Sequence, residues 1–359
     1  MSQSCPRNIT VLGAGPAGLT AAKLLADGGW SVRLVASGAR QSRAIALPAQ
    51  TEAMLTDIWG KPVQEIVPTH RLSQRRVAWS GPAADVIEIA ALSLDAAELA
   101  AGLETCLSGV EIIADVPRDT GAYLIDARGP ALPEACQITA GTRSMAVWPA
   151  LPVEPQLSHQ SETLAGDGFW MFLLPTSCDR MTVQLAIPEA RLDLSRLAER
   201  LRHASGGTLS AHLAPLLGSL ETEPPHHTAI APRLGLPPAS AAALPAGDRA
   251  VSFDPISGDG TGQGLRSVCL AVGALNALAE GGSAAAILGH VANRYDFAFS
   301  SHLTHCLRYY GSIQVPEAWS GEIHEMRQAL SRIGLRRMTE RPAFRMHFEG
   351  KRGPILADA

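Results

Sequence analysis

The chain has 359 residues, 46% of them apolar, which is enough for two domains or for one large interleaved α/β unit with a packed core. Thirty Lys and Arg against 34 Asp and Glu leave a formal charge of -4 with no run of five like charges, so the footprint of a nucleic-acid or anionic-membrane binder is absent. Six dispersed cysteines (Cys5, Cys106, Cys136, Cys178, Cys269, Cys306) form no C-x-x-C pair and read as reduced thiols; with no room for a leader before the first strand and no uninterrupted apolar span, a soluble cytoplasmic protein is expected.

Residues 9–12 form a β-branched and apolar run that feeds Gly13-Ala14-Gly15-Pro16-Ala17-Gly18, and residues 19–27 follow as a helix former. Strand, tight turn and helix in that order make a dinucleotide site: Gly13 permits the turn, Gly15 lets a pyrophosphate approach the backbone, and Gly18 lets helix and strand pack closely. Amides at the helix start, with the helix dipole, then face the phosphate charge. Gly28-Gly29 stops the helix, and residues 31–35 read as a second parallel strand. The acid that usually holds the ribose hydroxyls at the end of that strand is replaced by Ala36 and Ser37, leaving Ser37 as a weaker hydrogen-bonding group. Arg40 and Arg43 just beyond permit a rival reading, in which they meet the 2′-phosphate of NADP.

Residues 1–60 are assigned to a first βαβ unit, 71–80 and 86–90 to strands, and 94–107 to an alanine-rich helix. Residues 110–114 and 123–126 are expected to rejoin the first sheet. Segments 144–147, 169–174 and 181–187 read as strands of a second sheet, 192–203 as a helix, and the Pro- and Ala-rich 224–245 as a returning loop.

Residues 247–265 read GDRAVSFDPISGDGTGQGL and decide between FAD and NADP. Asp248 and Asp254 offer carboxylates to the ribityl hydroxyls of a flavin, and a glycine-rich turn then opens a helix whose first amides can face the pyrimidine edge of the isoalloxazine. Leu265, Val268, Cys269, Val272, Leu275 and Leu278 continue at helical spacing. Segments 285–299 and 322–332 read as helices and 342 onward as an irregular tail.

GAGPAG combined with GD, five residues and DPISG resembles the FAD-dependent monooxygenase superfamily that contains aromatic hydroxylases, tryptophan halogenases and geranylgeranyl reductases, and is closer to the halogenase-like branch. Further pieces follow the order of that branch: SRAIALP at 42–48, the tryptophan-containing RRVAWSG at 75–81, LIDARG at 124–129 and WMFLLP at 170–175. The resemblance implies an α/β fold with a Rossmann-like FAD-binding domain of the glutathione-reductase type, interleaved with a β-sheet substrate domain and followed by C-terminal helices. The implied boundaries are 1–140 for the first part of the FAD domain, with an excursion at 61–92, then 141–240 for the substrate domain, 241–295 for the second part of the FAD domain and 296–359 for the helical region. It places Arg43 over the pyrophosphate and flavin side, Asp248 on FAD, and Asp126 at a strand end near the cofactor, beside Gly129. The expected cofactor contacts are Gly13, Gly15, Pro16, Ala17, Gly18, Ser37, Arg43, Asp126, Gly247, Asp248, Asp254, Pro255, Gly258, Gly260, Gly262 and Gly264. Either Gly258-Asp259-Gly260 or Gly262-Gln263-Gly264 fits the turn beside the flavin.

Phe172 and Leu174 stand where halogenases carry the second tryptophan and the isoleucine of W-x-W-x-I-P, so halide chemistry is not supported. The resemblance implies a flavin reduced by NAD(P)H, directly or through a separate reductase, that forms a hydroperoxide with dioxygen and hydroxylates an electron-rich aromatic. That substrate is a small molecule or a tryptophan in a peptide or protein, as in flavoproteins that mature the tryptophylquinone cofactor. The alternatives are a flavin reductase of prenyl or polyene double bonds and a non-catalytic flavin-fold binding protein. No acid–base residue stands out, Glu52 and His70 included. No metal is expected, because His226-His227 and the His302/His305 pair lack a third ligand.

Overall fold

The protein is described by a computed structural model covering residues 7–38, 40–81, 83–130, 133, 136–188, 196–207, 209–236, 243–313, 315–334, 344–348 and 353–358. In chain order the elements are β1 Asn8–Leu12, α1 Pro16–Asp27, β2 Ser31–Val35, β3 Ala44–Pro48, α2 Ala49–Trp59, α3 Val63–Ile66, β4 His70–Ala78, β5 Asp85–Asp95 and α4 Ala96–Thr105. There follow β6 Val110–Ile113, β7 Tyr123–Asp126, β8 Gln137–Thr139, β9 Ser144–Pro152, β10 Gln160–Gly166, β11 Phe169–Pro175, β12 Arg180–Ile187, α5 Leu197–Ala204 and α6 Leu217–Thr222. The last are β13 His226–Ala229, β14 Arg233–Gly235, β15 Ala243–Pro245, β16 Val251–Ser252, α7 Gly260–Ala279, α8 Ala284–Ser312, α9 Ser320–Gly334, β17 Phe344–Phe348 and β18 Pro354–Asp358.

These strands make a five-stranded parallel sheet in the order β15-β7-β1-β2-β6 and an eight-stranded sheet in the order β13-β9-β12-β11-β10-β4-β5-β3. In the large sheet only β10 and β4 run parallel; the other neighbours are antiparallel. A small sheet, β16-β14-β8, bridges the two in sequence, since the chain passes through it on leaving and on re-entering the parallel sheet. The parallel strands are buried as apolar runs, as strands covered on both faces must be, with Ile9, Val11, Val32, Leu34 and Ile125 at 3% exposure or less. Helices α1 and α7 pack against one another over them.

Three expectations are corrected. The first βαβ unit is shorter than residues 1–60: β1, α1 and β2 complete it by Val35, and β3 then pairs antiparallel with β5 at the edge of the large sheet, carrying the chain away from the parallel sheet by residue 44. Residues 224–245 are not simply a loop, because β13 and β15 close edges of the large and the parallel sheet and β14 is the central strand of the small one. The tail is not irregular: β17 and β18 form an antiparallel hairpin, and the Pro354 carbonyl accepts from Asn276 Nδ2 of α7 at 2.9 Å. The predicted start of a helix at 192 lies outside the described residues; the helix is described from Leu197. No described helix is long and apolar enough to cross a membrane.

Candidate cofactor site

At the carboxyl end of β1 the chain turns through Gly13, whose φ of +99° is open to glycine and strained for other residues. A Cβ at Gly13 would also lie 2.7 Å from the Ala127 carbonyl oxygen beyond β7, and one at Gly18 would run into the Gly13 carbonyl. Gly15 differs: a Cβ there meets nothing within 4 Å, so the space over the start of α1 is open. Gly15 is the N-cap, Pro16 occupies the first helical position where no N–H is needed, and the first turn carries no acidic side chain. The Ala17 and Gly18 amides, which have no intrahelical acceptor, therefore start an uncompensated helix dipole. A pyrophosphate fits this open, positive cradle.

The second glycine motif folds onto the first. Gly247, at φ +63°, would place a Cβ 2.8 Å from the Ala17 Cβ, and its N–H donates to Ser267 Oγ of α7 at 2.7 Å. A Cβ at Gly264 would lie 3.9 Å from the Gly247 Cα. The starts of α1 and α7 are thus brought side by side by residues about 230 apart, an arrangement that needs small residues at each approach. Between the two alternatives for the turn, Gly258 at φ +64° and Gly260 at the first position of α7 make it. Gly262 and Gly264 are buried inside the helix. Asp259, the N-cap, accepts from Thr51 Oγ1 at 2.9 Å and from Arg266 Nη2 at 2.6 Å.

Asp248 is raised above the usual carboxylate range by burial, and the Arg43 guanidinium opposes the shift, which places these two expected contacts within electrostatic reach. Arg43 itself is exposed, as are Ser37 and Pro255. Asp126 sits at the end of β7 beside the Gly13 turn, with its carboxylate engaged by Arg128 Nε (2.9 Å) and Nη2 (2.8 Å) and by Arg249 Nε (2.9 Å). Burial alone would raise its pKa; the Arg128 hydrogen bonds and the Arg249 charge outweigh it and the pKa is lowered. The structure gives Asp254 partners quite unlike ribityl hydroxyls. It is fully buried, and its Oδ2 accepts from Arg143 Nε at 2.6 Å and Tyr310 Oη at 2.9 Å. Arg143, Tyr310 and Glu322 carry no motif and were not legible as site neighbours. His302 of the His302/His305 pair accepts the Asp254 N–H at Nε2 (2.8 Å) and stacks on Phe253 with centroids 4.0 Å apart.

On β4, Arg75 lies with its guanidinium carbon 5.5 Å from the centre of the Phe172 ring of β11. It is paired with no carboxylate among the described residues, and burial lowers its pKa. Phe172 pairs across β12 with Gln184, whose Nε2 donates to the Ala44 carbonyl at 3.3 Å, next to Arg43. Val77, two residues beyond Arg75 and so on the same strand face, lines with Trp79, Ser80, Gly81, Ala83 and Asp85 a cavity of about 330 Å³. Trp79 donates from Nε1 to the Tyr309 carbonyl at 3.0 Å and meets the Tyr309 ring edge-on.

A parallel dinucleotide-type sheet joined to a large mixed sheet and a helical C-terminus is the fold of FAD-dependent monooxygenases and halogenases. Solved structures with this fold include the peptidyl tryptophan dihydroxylase QhpG, essential for tryptophylquinone cofactor biogenesis, at 19% identity and TM-score 0.67 over 99% of this chain and 86% of that one. The flavin-dependent halogenase CmlS is similar at 17% identity and TM-score 0.69 over 91% and 70%. PqsL of P. aeruginosa, solved with 2-aminobenzoylacetate, is similar at 15% identity and TM-score 0.66 over 88% and 99%. At these identities the likeness establishes the fold. No family model and no curated protein sequence matches the chain.

Proposed function

We propose that the chain binds FAD across the paired starts of α1 and α7 and works as an FAD-dependent monooxygenase that hydroxylates an electron-rich aromatic substrate. The observation that carries this reading is the seating of Gly247 on Ala17 beside an open Gly15, because it joins a phosphate cradle to a second helix start as a two-part flavin requires. The Ala17 and Gly18 amides hold the pyrophosphate, Ser37 the ribose, Asp248 and Arg43 the ribityl and phosphate side, and the turn at 258–260 the pyrimidine edge. When bound, the flavin supplies the redox chemistry, accepting electrons from NAD(P)H directly or from a partner reductase and activating dioxygen. The protein's part is to orient the ring, exclude water and present charge. In this reading Arg75, desolvated over Phe172 and with no acidic partner among the described residues, receives an anionic substituent of the substrate beside the Trp79 recess. The exposed Ile87, directly opposite Arg75 on the neighbouring β5, favours, as a second reading, an aromatic side chain carried by a peptide.

The test is to reconstitute the purified protein with FAD and follow NAD(P)H-dependent oxygen uptake, with and without a reductase, against aromatic acids, neutral aromatics and tryptophan peptides. Uptake stimulated by one of these classes is expected. Hydride transfer to a prenyl or polyene double bond without oxygen consumption would replace the reading with a reductase, and a colourless protein that binds no added FAD would overturn both.

A further inference from the structure

Asp254 is the acid of the DPISG segment, and it is held by a cluster that no motif marks. Its Oδ2 accepts from Arg143 Nε and Tyr310 Oη, and its Oδ1 accepts from the Ile256 N–H at 2.9 Å. Arg143, fully buried in the connection into β9, also donates through Nη1 to the Ala140 carbonyl at 2.9 Å and to Glu322 of α9. Glu322 Oε1 accepts in turn from the Thr142 N–H at 2.9 Å and its Oγ1 at 3.0 Å. Tyr310 of α8 receives Trp170 Nε1 of β11 at 3.0 Å on its hydroxyl and packs its ring 4.5 Å from that of Trp319. The large sheet, the flavin-side loop and both C-terminal helices therefore meet at one carboxylate.

Buried ion pairs add little net stability over apolar packing, but removing one partner leaves a costly orphan, so such a cluster selects one geometry over its neighbours. The geometry selected here is that of the turn after Asp254. Oδ1 caps residues 255–257, Gly258 reverses the backbone, and α7 begins at Gly260. We propose that Arg143 and Tyr310 are positioning residues for the flavin: through Asp254 they fix the turn at 255–259 and the start of α7, making α8 and α9 part of the cofactor site. Asp254 then acts on the cofactor through the backbone it caps and not by direct contact. The inference rests on the FAD reading for its consequence, while the positioning of the loop is measurable without cofactor.

Tyr310→Phe deletes one hydroxyl while keeping the ring on Trp319, and leaves Asp254 Oδ2 and Trp170 Nε1 each one partner short. Phe299→Leu, a fully buried change on the same helix that lies outside the cluster, is the control. Hydrogen exchange of the apo protein should show amides 256–264 opening about tenfold more often in Tyr310→Phe than in the parent, an effect the control lacks at equal loss of global stability. In the FAD-loaded protein the same variant should bind FAD about tenfold more weakly and shift the flavin reduction potential, and the control should do neither. Trp170→Phe, which removes only the donor to Tyr310, should move both readings the same way to a lesser extent and serves where Tyr310→Phe does not fold. Exchange at 256–264 that is unchanged, or that rises equally in the control, would overturn the inference. Failure of the parent to bind FAD would overturn the function instead, with the exchange result still deciding whether the cluster fixes the loop.

Discussion

Gly15→Ala separates a phosphate cradle from a structural turn, because the structure predicts no cost to the fold. Gly15 has φ -77° and ψ 175°, which alanine adopts freely, and its added methyl meets nothing within 4 Å. Replacing a glycine N-cap by alanine costs about 0.5–1 kcal/mol, and the stiffer unfolded chain returns about 0.4–1 kcal/mol, so the net change is roughly zero. With FAD the result differs, since the methyl stands where the pyrophosphate approaches. Losing one charge-assisted amide–phosphate hydrogen bond is worth about 1.5–3 kcal/mol, or a ten- to hundredfold rise in Kd. Gly18→Ala supplies the contrast: its methyl drives into the Gly13 carbonyl, and overpacking of this kind costs roughly 1–3 kcal/mol or more before any ligand is added. Thermal unfolding of the apo proteins and titration of flavin fluorescence read the two effects separately. A Gly15→Ala protein that binds FAD as tightly as the parent would show that no phosphate sits over α1.

Ala36→Glu restores an acid at the end of β2 and should tighten FAD about tenfold through a charge-assisted bond to the ribose, read in the same titration. Arg75→Gln should raise KM for aromatic acids about tenfold or more while leaving neutral aromatics and the melting temperature nearly unchanged; an equal loss for both substrate kinds would remove Arg75 from substrate recognition. His212 is 3% exposed with both ring nitrogens unpartnered among the described residues, and burial, with Arg76 and His159 adding to it, lowers its pKa to about 4. Its folded pKa lies below the unfolded value of 6.5, so the unfolded chain binds the extra proton and stability falls as pH drops from 6.5 towards 4, by roughly 3 kcal/mol across the window. His302, also lowered to about 4 by burial, adds a loss of the same sign. Urea unfolding at pH 7 and pH 5 should therefore show a smaller pH dependence in His212→Leu than in the parent, and an undiminished dependence would place the titration elsewhere.

The glycine turn was legible because three steric demands fall within six residues: a turn at Gly13, an approach at Gly15 and a close contact at Gly18. Strands at 144–147, 169–174 and 181–187 were legible from β-branched and apolar runs, although β9 runs on to Pro152, through a segment that was not. β10 was not, since QSETLAG shows neither a steady apolar run nor alternation, yet it is buried on both faces between β11 and β4. The strands within 224–245 are three or four residues long and exist only because partners distant in sequence present a ladder to them. The hairpin at the C-terminus depends on α7 in the same way. Asn276 looks like an interruption of an apolar helix, but it receives Trp30 Nε1 at 2.8 Å and donates to the Pro354 carbonyl, tying the hairpin to the first helix layer.

Asp254 shows where local pattern runs out. A carboxylate after a strand and before a glycine turn suits a flavin hydroxyl and a buried guanidinium equally well, and nothing within the motif distinguishes an outward side chain from an inward one. The partners that decide the matter are Arg143, 111 residues earlier, and Tyr310, 56 residues later, each in a segment without chemistry of its own. Once inward, the acid cannot be replaced by asparagine without weakening Arg143, nor Arg143 by methionine without stranding two carboxylates in the interior. The motif that points to a flavin is thereby held in place by the part of the chain with no recognisable motif, and the C-terminal helices belong to the cofactor site as much as the glycines do.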